Sequence, residues 1–384
     1  MLESPDPEAR SSSCWLLGAL GSHEEIISAV LELKPYMWLV SLLRRVQVLR
    51  HNSFFLSCFS DKDSSVIARA IYALCQIARW SDGAQAIVDA RALDGMLAFL
   101  ESSSSDIRKW TCELVGRLVE HESTVQAILG LQPCAQLLSV LQDEDAQVTE
   151  WATYALSQIS LWSDGAQAMG DAKALDRVLI LLESQRPRTR ERACELVGRL
   201  TFHKSTAPTI MELQACGQLV CLLSDDDPRV ILRATHALAQ FAVWVDCAQM
   251  IVDAQALDHV LRLLKCLGQN VRKWACKLVG RLASHEPTVR AISESNVSAV
   301  LLSLLCEPAI RSSAIFALGA ISGWPDGVAA LADIDAFKEL QELINSELLD
   351  SDTRDQTCRI LDNLARYKAV GDWSGRGGKL RIVS

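Results

Sequence analysis

The sequence predicts an all-α fold, a right-handed α-solenoid of about nine stacked repeats of about 41 residues with three helices each. The first observation is a repetition with a period of 82: WSDGAQA at 80–86 returns at 162–168, and as WVDCAQM at 244–250. The second is a weaker period of 41, because positions 152–159 match positions 193–200. The third is that apolar residues recur at helical spacing, with no competing β-strand alternation. Units this small bury their apolar faces only by stacking.

Each repeat contains three helices in a fixed order. A short first helix is predicted over Gly83–Ala90 in one repeat and over Thr124–Leu131 in the next, and a second helix such as Ala92–Leu100 follows. The third helix is the longest, and acidic residues at its N-terminus are predicted caps: Asp63, Asp145 and Asp227. Caps for first helices are predicted at Asp82, Asp164, Asp246 and Asp326.

Several residue types recur with the same period and indicate packing roles. Tryptophans at the exit of the third helix are predicted to fill the seam between repeats: Trp80, Trp162, Trp244 and Trp324. Cysteines on the third helix are predicted to be small core residues: Cys14, Cys112, Cys194, Cys276 and Cys358. Glycines there indicate a helix contact too close for larger side chains: Gly18, Gly116, Gly198 and Gly280.

The repeat frame defines the domain organisation. The solenoid is predicted to span residues 1–366, with a truncated first repeat, because residues 1–4 align with residues 100–103 in the middle of a repeat. The segment near 44–59 is surplus to the frame, and it is interpreted either as an insertion that projects a basic, aromatic contact site or as a retained intron. Residues 367–384 show no helical period and are expected to form a disordered tail.

The composition excludes several classes of protein. Hydrophobic residues make up 49% of 384 residues, and the net charge of −9 includes no basic block of the kind that binds nucleic acid. Thirteen cysteines without a signal peptide indicate a reducing compartment. No apolar run reaches the roughly 20 residues of a membrane-spanning helix. We therefore expect an intracellular protein, cytoplasmic or also nuclear, that neither binds nucleic acid nor inserts in membranes.

The chain resembles the armadillo repeat family over residues 2–366. The repeat length, the three-helix pattern, the strings ALDRVLILLES at 174–184 and ALSQIS at 155–160, and Asp-Pro-Arg-Val at 227–230 carry this resemblance. It implies that the third helices line a concave groove that binds an extended peptide. It also implies a non-enzymatic scaffold or adaptor whose partner is a protein or peptide.

The family commonly has an Asn near the end of the third helix that contacts the peptide backbone. The repeat frame maps this ladder position to Gln76, Arg117, Gln158, Arg199, Gln240, Arg281, Ala320 and Asn363. Four residues earlier, where the family often has Trp, stand Tyr72, Glu113, Tyr154, Glu195, His236, Lys277, Phe316 and Arg359. The absence of regular Trp and Asn rungs argues against a carrier of basic nuclear signals.

The groove residues that this mapping proposes supply amide, aromatic and guanidinium groups for a mixed-charge peptide. They are Tyr72, Gln76, Trp110, Arg117, Trp151, Tyr154, Gln158, Arg199, Gln240, Trp274 and Arg281. An alternative interpretation is that Glu113–Arg117 and Glu195–Arg199 are i, i+4 pairs that mainly satisfy each other. Another is that binding uses surface loops or the tail.

His-Glu dyads begin at His23, His121 and His285 and invite comparison with the HEAT-repeat hydroxylases, whose His-Glu motifs hold two irons. Dyads two repeats apart lie roughly 20 Å apart on stacked helices, whereas metal ligands lie about 2 Å from the ion. The fourth copy, His203-Lys204, lacks the carboxylate. We therefore predict no catalytic residue, metal or cofactor, with a metal-dependent hydroxylase as the alternative class.

Overall fold

The fold is described here from a computed structural model, which covers residues 4, 6–41, 64–91, 93, 95–171, 175–213, 215–346 and 349–374. The predicted insertion or intron near 44–59 lies outside these residues. The chain divides into two compact units, Met1–Thr209 and Ile210–Ser384. Every regular element in the covered ranges is a helix, which confirms the all-α prediction.

The third helices form the spine of each unit, because within a unit each one packs on the next. In the first unit they are Pro7–Gly21, Ser64–Ile77, Ser105–Val119, Ala146–Ile159 and Pro187–Phe202. In the second unit they are Pro228–Phe241, Gln269–Leu282, Pro308–Ile321 and Ser351–Ser374. Their inward sides are apolar and buried, as at Leu74 and Leu114 in the first unit and Leu238 and Leu278 in the second.

The shorter helices complete the repeats in the predicted order. The first helices are Glu24–Glu32, Ser81–Asp89, Glu122–Leu129, Ser163–Asp171, Ala207–Glu212, Val245–Asp253, Glu286–Glu294 and Pro325–Asp333. The second helices are 35–41, Cys134–Ser139, Leu175–Ile180, Ala215–Cys221, Ala256–Leu264, Val297–Ser303 and Ala336–Asn345. Short 3₁₀ turns are Met96–Glu101, Val140–Gln142, Leu181–Glu183, Leu222–Ser224 and Leu304–Cys306.

The predicted second helix Ala92–Leu100 is wrong in type and in start. Among the described residues of this stretch, Met96–Glu101 form a 3₁₀ helix. Gly95 precedes it with φ of 73°, a left-handed conformation that an α-helix cannot run through.

The predicted caps are right for the third helix and wrong for the first. Asp145 and Asp227 accept hydrogen bonds from backbone N–H groups two residues on, as N-caps do. Asp63 lies outside the residues described. Asp82, Asp246 and Asp326 instead lie inside the first turn of their helices. The residue before each helix is a Trp in an extended conformation, and this Trp holds the cap position.

Tryptophans at this position join three repeats to the repeat before them. The indole Nε1 of Trp80 donates to the Gly21 carbonyl at 2.9 Å, and that of Trp324 donates to the Ala283 carbonyl at 2.8 Å. Trp162 makes the same bond at 3.1 Å. The bonds confirm that tryptophan fills the seam between repeats, although these side chains are half-buried rather than buried.

Histidine takes the place of tryptophan in the alternate repeats. His121 Nε2 lies 2.8 Å from the Ala78 carbonyl oxygen, His203 Nε2 2.7 Å from that of Ser160, and His285 Nε2 2.9 Å from that of Ala242. A carbonyl oxygen only accepts, so Nε2 carries the ring proton in each case. We call these Trp and His residues the seam residues.

The close approach of the first helix to the end of the third helix has two solutions. In one repeat type a glycine stands there, and a Cβ on Gly83, Gly165 or Gly327 would overlap the carbonyl oxygen of the last third-helix residue. In the other type a threonine stands at the equivalent position and donates its hydroxyl to the equivalent carbonyl, as Thr124 does to Leu118. Both arrangements bring the two helices close together.

A second alternation explains why the period is 82 rather than 41. Third helices with a glycine pack against the aromatic ring of the next third helix: a Cβ on Gly116 would lie 2.5 Å from Tyr154, and one on Gly18 would lie 2.9 Å from Tyr72. Gly280 receives Phe316 in the same way. This confirms the close contact predicted at these three glycines. We call the two kinds glycine repeats and aromatic repeats.

The cysteine prediction holds for four of the five positions. Cys14, Cys112, Cys194 and Cys276 are buried, and burial raises the pKa of Cys14 to about 11 and of Cys276 to about 12. Cys358 is exposed, so the prediction of a core residue is wrong there. It lies on the last described third helix, over which no further described helix packs. All twelve cysteines in the described ranges are free thiols.

The end of the chain also differs from the prediction. Helix Ser351–Ser374 includes residues 367–374, which the sequence assigns to a disordered tail. Residues Arg366–Ala369 of this helix are all exposed. This part of the helix therefore lacks the apolar spacing from which the sequence could predict it. Residues 375–384 lie outside the described part.

No single helix among the described residues is both long and apolar enough to cross a membrane. Two bent pairs of helices meet the requirement by length and composition only, Glu122–Leu129 with Cys134–Gln142 and Glu286–Glu294 with Val297–Cys306.

Candidate functional site

The third-helix face is the set of side chains at the ladder position and at four, seven and eight residues before it. Eight of the eleven predicted site residues lie on this face in Met1–Thr209, and three lie on it in Ile210–Ser384. The face therefore forms two separate sites, one in each unit.

Aromatic side chains of consecutive third helices meet on the face of the first unit. The rings of Tyr72 and Trp110, on consecutive third helices, pack edge to face with centroids 4.8 Å apart, and those of Trp151 and Tyr154, on the next third helix, do so at 5.3 Å. The ammonium group of Lys109 lies 4.3 Å from the Trp110 ring. Because Tyr72, Trp110 and Trp151 are partly exposed, these rings offer rigid contact area to a ligand.

Tyr154 stands at the centre of this face but offers little surface. It is 3% exposed, and its hydroxyl donates to the Glu120 carboxylate. The guanidinium groups of Arg117 and Arg192 lie 5.3 and 5.0 Å from its ring. Burial, with the hydrogen bond to Glu120, raises the pKa of Tyr154. Tyr154 thus organises the two arginines and is neutral at physiological pH.

The charged rungs of the first unit form the predicted i, i+4 pairs. Arg117 Nε lies 3.4 Å from a Glu113 carboxylate oxygen, and Arg199 Nη2 lies 2.7 Å from one of Glu195. Arg192 adds a second contact to Glu195 at 3.1 Å. Burial raises the pKa of Glu113, which Arg117 opposes. In these pairs the carboxylates neutralise arginine charge within the face, so less positive charge is left to attract a ligand.

Several ladder residues donate to the preceding third helix. Arg199 Nη1 donates to the Ser157 carbonyl at 2.5 Å, and Arg281 Nη1 donates to the Ala239 carbonyl at 2.6 Å. Asn363 Nδ2 donates to the Ser322 carbonyl at 3.0 Å. Part of each side chain's hydrogen-bonding capacity is therefore used inside the protein. This use was not predicted, although the family's contact residue Asn363 shares it.

The ladder glutamines are less available than predicted. Gln76 and Gln158 are each 7% exposed, and Gln76 Oε1 accepts from Arg79 at 3.4 Å. Gln240 is half-buried, and its amide nitrogen lies 2.9 Å from His236 Nε2. Gln76 and Gln158 therefore present little surface to a ligand.

The face of the second unit combines aromatic and cationic groups. The rings of His236 and Trp274 lie 4.1 Å apart, and Lys277 Nζ lies 4.3 Å from the Trp274 ring. Phe316, on the next third helix, is 39% exposed. Lys109, Arg192 and Lys277 were not among the predicted site residues. The repeat frame places all three on the face, since each stands four, seven or eight residues before a ladder position.

The His-Glu dyads do not form a metal centre. The imidazoles of His121 and His285 are held against backbone carbonyls of preceding repeats, as described above. Within the described ranges no three His, Cys, Asp or Glu side chains converge in a way that would hold a metal ion. The dyads are thus seam residues followed by a first-turn Glu, which is favourable at a helix N-terminus.

Known structures share this fold. An engineered protein from a structural genomics programme is 24% identical, with a TM-score of 0.81 over 95% of this chain and 87% of its own. A designed armadillo repeat protein in complex with the peptide (KR)4 is 22% identical, with a TM-score of 0.55 over 58% of this chain and 95% of its own. A computationally designed armadillo repeat protein for modular peptide recognition is 22% identical, with a TM-score of 0.52 over 56% and 93%.

No protein-family model matches the chain, and no curated protein matches it. At these identities the structural likeness establishes the fold alone. The chain has an armadillo-type helical repeat fold, as its sequence predicts.

Proposed function

We propose that this chain, with its armadillo-type fold, is a non-enzymatic scaffold that binds an extended peptide or protein segment on its third-helix face. The row of partly exposed aromatic side chains on consecutive third helices, Tyr72, Trp110 and Trp151, carries the proposal. Rigid aromatic side chains with few rotatable bonds are the residues that most often dominate binding energy. A face that served only as a charged surface over an apolar core would not require aromatic side chains at these positions.

The designed proteins that share the fold support this reading, since one holds a peptide and another was built for peptide recognition. The face also has both kinds of group that an extended chain needs. Aromatic rings provide apolar contact, and arginine and lysine provide donors at the edges.

The proposal is tested by selection from a phage-displayed library of random 12-residue peptides on the full chain. Selected peptides are then titrated into the wild type and into Trp110→Ala and Trp151→Ala. Each variant is expected to weaken binding by about tenfold or more, because a truncated aromatic anchor costs about 2 kcal/mol.

Ile180→Ala is the control, since Ile180 is an exposed apolar residue on a second helix of the same unit. It is expected to leave affinity unchanged. Phe202→Ala reports on binding by the exposed end of a third helix instead of the face. A library that yields no peptide, or peptides sensitive to Phe202→Ala but not to Trp151→Ala, would refute binding on the face.

A further inference from the structure

Three equivalent third helices carry different charges at the same three positions. These positions are the ladder residue and those four and eight residues before it. Helix Ser105–Val119 has Lys109, Glu113 and Arg117, and helix Pro187–Phe202 has Glu191, Glu195 and Arg199. Helix Gln269–Leu282 has Lys273, Lys277 and Arg281, so its row is entirely cationic. We call these last three residues the cationic row.

At the central position, four residues before the ladder residue, lysine replaces glutamate, and this change removes the ion pair within the helix. In the first unit, Glu113 and Glu195 each pair with the arginine four residues on. Lys277 occupies that position in the second unit. No carboxylate of the described residues lies within ion-pair distance of the cationic row, and like charges four residues apart on a helix repel. The row is therefore a local excess of positive charge in a chain of net charge −9.

The neighbouring groups add no negative charge. Burial, together with Lys273 and Arg281, lowers the pKa of Lys277. His236 on the preceding third helix lies against Trp274 and beside the amide of Gln240, and Phe316 on the next third helix lies against Gly280. Arg281 uses one nitrogen on the Ala239 carbonyl, which leaves its other donors. The row and Trp274 are partly exposed, so a ligand can reach them.

The dimensions fit a short run of carboxylates. Eight residues of helix separate Lys273 from Arg281, which is about 12 Å. Alternate side chains of an extended peptide lie about 7 Å apart, so two or three acidic residues span the row. Arginine takes a carboxylate in a forked geometry, and each lysine adds a point charge.

We propose that the cationic row with Trp274 binds an acidic, carboxylate-rich segment of an extended peptide partner. This deepens the proposed function and rests on it, because it names the chemistry of the partner and the part of the face that selects it. Opposite charges across such a surface raise the association rate and exclude basic peptides.

The test uses a fluorescein-labelled 12-residue peptide of alternating Glu and Ser, with the full chain and fluorescence anisotropy. Matched probes have Gln or Lys in place of every Glu. Binding of the Glu peptide is expected to weaken as salt rises. The Gln peptide is expected to bind at least tenfold more weakly, and the Lys peptide is expected not to bind.

Lys277→Glu recreates the charge pattern of helix Pro187–Phe202 at the central position, so it is expected to fold. It should weaken binding of the Glu peptide by about tenfold or more and reduce the salt dependence. Lys277→Gln should have a smaller effect in the same direction. Lys265→Glu makes the same charge change at an exposed residue after a second helix of the same unit, and should change affinity less than about twofold.

Three outcomes with the peptides overturn the proposal: no binding of the Glu peptide, equal affinity for the Glu and Gln peptides, or equal effects of Lys277→Glu and Lys265→Glu on affinity. A fourth is tighter binding of labelled single-stranded oligothymidine than of the Glu peptide in the same assay. If these occur while library peptides still depend on Trp151, the proposed function stands and only the partner chemistry is wrong. If library selection also yields nothing, the proposed function falls separately.

Discussion

At the residue scale, one backbone carbonyl at the end of each third helix determines which side chains the next helix tolerates. A Cβ on Gly327 would overlap the carbonyl oxygen of Ile321. A carbonyl within a helix cannot move aside as a flexible side chain can. At Gly83, Gly165 and Gly327 the glycine is thus favoured by packing and not by backbone conformation, whereas the third copy of the motif has Cys247 at the equivalent position.

Gly327→Ala is therefore expected to destabilise the protein by about 2 kcal/mol, since overfilling a packed contact typically costs about 1–3 kcal/mol. Urea unfolding followed by circular dichroism measures it. Gly217→Ala is the matched control, because Gly217 lies in helix Ala215–Cys221 of the same unit and a Cβ there meets nothing within 4 Å. That change should be neutral or stabilise by up to about 1 kcal/mol. Equal losses for both would contradict the packing explanation.

The sequence predicts residues of this kind unevenly. Asp145 and Asp227 were found as caps because a side-chain cap depends on neighbours in sequence. The hydrogen bonds of the seam histidines and the ladder arginines to backbone carbonyls were not predicted, because these acceptors lie a whole repeat away along the chain. Such bonds appear only when two repeats are stacked at a known register. The burial of Tyr154 was not predicted for the same reason, because the groups that contact it belong to neighbouring repeats.

At the element scale, consecutive third helices pack by placing an aromatic ring over a glycine. Phe316 covers Gly280 so closely that a methyl group on Gly280 would overlap the ring. The two residues should therefore be energetically coupled. The type and order of helices were predictable, because apolar spacing and the period are local signals, whereas this pairing of neighbours was only hinted at by the alternation of glycine.

A double-mutant cycle tests this coupling. Gly280→Ala alone is expected to cost about 1–3 kcal/mol, because the ring has to shift. In a Phe316→Ala background the same change should become neutral or stabilise by up to about 1 kcal/mol, as alanine favours helix over glycine. Urea unfolding of the four proteins gives the coupling energy. An identical cost of Gly280→Ala in both backgrounds would mean that the ring does not determine the glycine.

At the scale of the whole molecule, the alternation of glycine and aromatic repeats makes the pair of repeats, not the single repeat, the unit that can be removed. Deletion of positions 81–162 removes a pair of repeats, joins Trp80 to Ser163 and keeps the alternation. Deletion of positions 81–121 removes a single repeat. It places the aromatic repeat of Tyr154 after that of Tyr72, where Cys75 occupies the glycine position.

We expect the chain that lacks the pair of repeats to unfold in one cooperative transition near the melting temperature of the full chain. The chain that lacks the single repeat should melt roughly 3–10 °C lower than the chain that lacks the pair, because the ring of Tyr154 meets a side chain in place of glycine. Thermal melts followed by circular dichroism compare them. Equal melting temperatures would show that the alternation does not control stacking.

The seam residues have a further consequence for how such a chain changes over generations. Each indole or imidazole donates to a main-chain oxygen of the repeat before it, as Trp324 does to Ala283. Every residue type has that oxygen. The seam hydrogen bond therefore does not depend on which residue the neighbouring repeat has at that position. A duplicated segment brings its own seam residues, so its surface can change without a matching change in the neighbouring repeat.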